Sequence, residues 1–73
     1  MAALVRMDAA WLTFRGERRR FTFTYVQDRS LGIDEIEDWW FDDVPRGIAA
    51  LIKPTDAERT AIERDLLNHA RGT

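Results

Sequence analysis

The sequence predicts an α+β domain, a small antiparallel β-hairpin or sheet packed against two to three C-terminal helices. Three observations carry this. Phe21-Thr-Phe-Thr-Tyr25 alternates apolar and polar residues with period two, in β-forming residue types. Apolar residues of the second half recur at three- and four-residue spacing, as Ile62, Leu66 and Ala70 do. Pro45 and Pro54 cut that half into short segments, because proline cannot continue a helix. With 73 residues the chain is expected to form a single domain over 1–73, with a thin core.

Residues 4–28 read as a β-hairpin. Ala10, Leu12 and Phe14 alternate as Phe21, Phe23 and Tyr25 do, and Gly16 marks a turn near Arg15–Arg19. A hairpin centred there sets Phe14 opposite Phe21 and Leu12 opposite Phe23, pairs worth about 0.2–1 kcal/mol each. Trp11, Thr13, Thr22 and Thr24 take the other face. Leu4–Met7 is expected to extend the first strand as one long or bent strand.

Residues 33–43 read as an acidic amphipathic helix. Asp34 is placed to cap it, with Glu37 as capping-box partner. At 100° per residue, Ile33, Ile36, Trp39 and Trp40 fall on one side, and Asp34, Glu35, Asp38 and Asp42 on the other. Phe41 falls off this pattern, between Glu37 and Asp34. Pro45 ends the helix and opens a short one over 45–53, on which Ile48, Leu51 and Ile52 share a face. Pro54 stops that turn. Thr55 and Glu58 then form a capping box for a C-terminal helix over 56–70. Ile62, Leu66 and Ala70 line its core face with Leu67 alongside. Arg59 and Glu63 stand at i, i+4, and Gly72 suits the stop.

Composition excludes several classes of chemistry. There is no cysteine, hence no disulfide and no thiolate zinc site, and there is one histidine, His69. His69 follows Asp65 by four residues but has no serine or cysteine arrangement beside it, and reads as an exposed or capping residue at a helix end. No catalytic constellation, cofactor or metal site is expected, so the chain is not read as an enzyme. Only four apolar residues follow Met1 before Arg6, too few for a signal-peptide core, and no run nears the roughly 20 apolar residues of a membrane span. A cytoplasmic protein is the expected setting.

The net charge of −2 conceals an asymmetry. Residues 1–30 carry +3, residues 31–53 carry −4 and residues 54–73 carry −1. All six acids of the middle block lie within 34–43. Asp34, Glu35, Glu37, Asp38, Asp42 and Asp43, around Phe41, therefore form the strongest candidate partner-binding surface. Carboxylates attract Arg and Lys through charge-assisted hydrogen bonds, and an aromatic supplies an apolar anchor. The competing reading is a solvated acidic face with Phe41 turned inward. Arg15, Arg18, Arg19 and Arg20 form a second, basic patch that could meet phosphate, solubilise the hairpin, or pair with the acidic segment of this chain or of a second copy. An overall pI of about 5.3 argues against a dedicated nucleic-acid binder. Trp39 and Trp40 could stack bases, although helical spacing beside Ile36 assigns at least one of them to the core.

The run Ile36-Glu-Asp-Trp-Trp-Phe41, followed by Val44-Pro45, resembles the first-helix segment of small phage-encoded anti-CRISPR inhibitors that pack a helix pair against an antiparallel sheet. The resemblance covers some ten residues. It implies a non-enzymatic inhibitor or modulator that binds a protein partner with a basic surface, such as a nucleic-acid-handling complex, with the acidic face acting as a nucleic-acid mimic. The alternative expectation is a phage assembly or accessory subunit, or an antitoxin, associating through the hairpin edge and Trp11. Neither direct nucleic-acid binding nor membrane insertion is expected, and homodimerisation stays open.

Overall fold

The computed structural model describes residues 4–28 and 33–72, with backbone alone at Asp28, Ile33 and Asp34. The chain runs β1 (Leu4–Phe14), β2 (Glu17–Asp28), β3 (Ile33–Phe41), α1 (Arg46–Ala49) and α2 (Asp56–Arg71). The strands form one antiparallel sheet in the order β1-β2-β3, and the fold class is α+β. Residues 4–14 make one continuous strand, as the sequence suggests.

The β1–β2 turn is tighter than the spacing suggested. Only Arg15 (φ 51°) and Gly16 (φ 82°) separate the strands, and positive φ at both positions marks a type I′ turn, whose twist matches a hairpin. Glycine adopts this backbone freely, whereas arginine there carries strain of about 1–2 kcal/mol. The short turn sets the register, with Phe14 opposite Glu17, Leu12 opposite Arg19, Ala10 opposite Phe21 and Asp8 opposite Phe23. The expected Phe14–Phe21 and Leu12–Phe23 pairs are not formed. The displacement is an even number of residues, so each side chain keeps its face.

The acidic amphipathic helix expected over 33–43 is instead a strand. β3 pairs with β2 from Asp28 opposite Ile33 to Phe21 opposite Phe41, so no Asp34–Glu37 capping box exists. The pairing satisfies the free backbone edge of β2, and Ile, Trp and Phe suit a pleated surface. A register shift explains the helical appearance. Thr24 faces Asp38 and Tyr25 faces Ile36, leaving Glu37 as the extra residue of a β-bulge. The bulge reverses the alternation, so Ile36 and Trp39 share a face although three residues apart, as they would on a helix.

α1 covers Arg46–Ala49, shorter than the 45–53 expected, and begins after Pro45 rather than on it. It contains no buried residue, so no packing holds a longer helix in place. Ile48 and Leu51 are exposed, and only Ile52 of the expected apolar trio packs against the core. α2 agrees with the sequence at its start. The Thr55 hydroxyl accepts from the Glu58 backbone N–H at 3.1 Å, and Glu58 accepts from the Thr55 N–H at 2.9 Å. Its buried residues are Ile62 and Leu66, with Ala70 packed against the cluster.

One face of the sheet meets α2. Ala10, Phe14, Phe21, Phe23, Tyr25 and Phe41 close against Ile62 and Leu66. Phe21, Phe23 and Leu66 have no exposed surface. Phe41 ties the rings together, with its centroid 4.9 Å from Phe21, 5.2 Å from Phe14 and 5.9 Å from Trp39. Such tilted and edge-on pairs add about 0.5–1.5 kcal/mol each beyond area burial.

Candidate functional site

Strand alternation settles where each expected site residue points. Phe41 is on the helix-covered face and buried, so it is no surface anchor. Trp39 shares that face, where its Nε1–H donates to Glu63 at 3.0 Å and the Arg59 guanidinium lies 5.7 Å from its ring centroid. The expected Arg59–Glu63 pair is thus replaced by two contacts to one indole. Trp40 points to the opposite face and keeps 40% of its surface exposed. The pair of tryptophans divides between the two faces.

The acids divide as well. Glu35, Asp38 and Asp42 stand on the open face with Trp40, and Glu37 is exposed at the bulge. Asp38 accepts from the Trp39 backbone N–H at 2.8 Å. Asp42 accepts from the Thr22 hydroxyl at 2.9 Å and lies 3.5 Å from the Arg20 Nε. Asp43 lies 3.8 Å from Arg19, which also pairs with Glu17 at 2.6 Å. The side chain of Asp34 lies outside the described residues. Of the options for the basic patch, the internal one holds for Arg19 and Arg20, which meet the acids that follow β3. Arg15 turns the other way, to Glu58. Arg18 makes no ion pair among the described residues and stands exposed beside Thr13.

The face turned away from α2 is left without a covering layer by the described residues. Along β1 it carries Val5, Met7 and Trp11, with 63%, 66% and 54% of their surfaces exposed. They recur at every second position with Ala9 between Met7 and Trp11, so they form one apolar strip. Thr22, Thr24 and Val26 floor the middle, and Trp40 with Glu35, Asp38 and Asp42 forms the far rim. Arg18 and Arg20 occupy the end near the β1–β2 turn. Contiguous apolar surface of this kind, rimmed by charge, marks interaction sites. The sequence reading placed Trp11 here but not Val5 or Met7. Their period-two spacing with Trp11 is the signal that finds them, because β1 is apolar on both of its faces.

An open groove of about 850 Å³ runs along the β3 edge, walled by Trp39, Trp40, Val44, Ile52 and Arg59. His69 contacts Asp8 at 3.7 Å rather than Asp65, and its ring lies edge-on to Phe23 at 6.3 Å. Among the described residues no three His, Asp or Glu side chains gather as metal ligands. No helix among them is long and apolar enough to cross a membrane. The segment that carries the anti-CRISPR resemblance lies in β3 and not in a helix. Comparison with family models, with curated proteins and with solved structures finds no match to this chain.

Proposed function

We propose that this chain is a non-enzymatic protein-binding inhibitor or modulator whose contact surface is the open face of its sheet. The observation that supports this is the strip Val5, Met7 and Trp11, large apolar side chains more than half exposed on one face of β1. A small domain with a thin core leaves such side chains in water at a cost of roughly 25 cal/mol per Å², which a partner surface removes. The acids keep a role in this reading, but as one rim of a sheet and not as a helix face. Glu35, Asp38 and Asp42 favour a partner with basic groups beside an apolar centre.

Position-specific crosslinking in the native cell tests the reading. Benzoylphenylalanine at Met7 should yield protein adducts after irradiation, whereas at Thr60, exposed on α2, it should yield none. Adducts from Thr60 alone, with none from Met7, overturn the open face as the contact surface.

A further inference from the structure

Resting on the open face as the contact surface, we infer that in the free chain a second copy occupies it, to be displaced by a target. The two copies stack face to face about a two-fold axis through the Ala9–Thr22–Trp40 row. The register defines five outward rows. From one end of the strands they are Val5–Val26–Glu35, Met7–Thr24–Asp38, Ala9–Thr22–Trp40, Trp11–Arg20–Asp42 and Thr13–Arg18. A two-fold axis along the middle row, perpendicular to the strands, exchanges the first row with the fifth and the second with the fourth.

Under that operation the face complements itself. Trp11 of each copy lies over Met7 of the other, a sulfur–aromatic contact made twice. Trp40 meets its own symmetry mate beside the axis. Arg18 of one copy lies over the row that ends in Glu35 of the other, and Arg20 over the row that ends in Asp38. Packed sheets stand about 10 Å apart and neighbouring strands about 4.8 Å, distances that Arg and Glu side chains together can span. Asp42 lies over Asp38 of the second copy, but Arg20, already 3.5 Å from Asp42, stands beside both. Each copy thus supplies cations at the turn end and acids at the far end, and antiparallel stacking brings them together twice.

The other face-to-face two-fold, with its axis along the strands, is disfavoured. It lays β1 on β3 and sets Val5, Met7 and Trp11 against Glu35, Asp38 and Asp42, which desolvates Glu35 and Asp38 with no cation opposite and stacks Arg18 and Arg20 on their own symmetry mates. The area sets the affinity class. Three strands at about 4.8 Å by eleven residues at about 3.3 Å give a flat footprint of about 500 Å² per copy, hence about 1,000 Å² per dimer. That is the lower bound for a specific interface, so a dissociation constant near the micromolar range is expected.

Complementary charge reversal tests the arrangement by sedimentation velocity over about 1–500 μM. The wild-type chain should pass from monomer to dimer. Arg18→Glu and Glu35→Arg should each weaken dimerisation at least about tenfold, since each homodimer then carries two like-charge contacts. An equimolar mixture of the two variants should dimerise as tightly as wild type, because both contacts between positions 18 and 35 in the heterodimer are again opposite in charge. Thermal melts establish that both variants are folded. A wild-type chain monomeric at the highest concentration, or a mixture no tighter than its components, overturns the stacked dimer. If benzoylphenylalanine at Met7 then still captures a different protein, the open face stands as a contact surface with another occupant. If it captures nothing, both readings fall.

Discussion

The Arg15 guanidinium and the Glu58 carboxylate form a two-point ion pair, Nε to Oε2 at 2.8 Å and Nη2 to Oε1 at 2.9 Å. The pair joins the strained residue of the hairpin turn to the capping box of α2, forty-three positions later. The same guanidinium donates to the Lys53 carbonyl at 3.3 Å and lies 4.8 Å from the centroid of the Phe14 ring. Glu58 therefore holds the first turn of α2 and the tip of the sheet with one carboxylate.

This arrangement predicts an acid limb to stability. Hydrogen bonds from Arg15 and from the Thr55 N–H hold the Glu58 carboxyl at about 2, below its ordinary value of 4.5. A carboxyl whose folded value is depressed contributes stability above its unfolded value and loses it as the pH falls through the folded one. The contribution is thus complete above about 4.5 and fades toward about 2. Thermal melts through this range should show Glu58→Gln less stable than wild type at neutral pH and converging with it in acid. Parallel curves would remove Glu58 from the account.

The turn itself predicts a backbone effect free of packing. A methyl group at Gly16 meets no atom within 4 Å, so only the positive φ opposes it. Gly16→Ala should cost about 1 kcal/mol, which for a domain of this size lowers Tm by about 4–8 °C. An unchanged Tm by calorimetry would contradict the type I′ turn.

Two leucines separate core from surface. Leu66 is fully buried under the sheet, whereas Leu51 keeps 78% of its surface exposed after α1. Leu66→Ala should cost about 2–5 kcal/mol in urea unfolding, a large share of what a small domain possesses. Leu51→Ala should stay within about 0.5 kcal/mol. Equal losses would show that α1 packs differently.

Deletion of Glu37 tests the bulge. Without the extra residue Ile36 and Trp39 stand two positions apart, so the alternation runs unbroken through β3 with Ile36 still inward and Glu35 still outward. No side chain changes face, so the deletion should stay within about 1 kcal/mol of wild type in urea unfolding. Glu37→Ala, which keeps the backbone length, should leave urea stability within about 0.5 kcal/mol of wild type. A deletion that costs the burial of one isoleucine, about 1.5–3 kcal/mol, would mean that β3 pairs without a bulge at Glu37.

Local features are legible in the amino-acid sequence alone. The alternation of Phe21, Phe23 and Tyr25, the continuity of 4–14 and the Thr55–Glu58 capping box each arise within a few residues, and all are present. So is the α+β class, and so is the outward position of Trp11. Long-range pairing sets the conformation of residues 33–41. The spacing of Ile36 and Trp39 fits a helix and equally fits a bulged strand, because both place residues three apart on one side. The backbone edge of β2 and the wide aromatic face of Phe21 and Phe23 settle the choice, since a paired strand satisfies the first and extends the second. That pairing buries Phe41, turns Trp40 outward, and draws Asp42 and Asp43 toward Arg20 and Arg19. Contacts between residues so far apart in the chain leave no periodicity to read, which is why the charge blocks were visible in the sequence and their pairing was not.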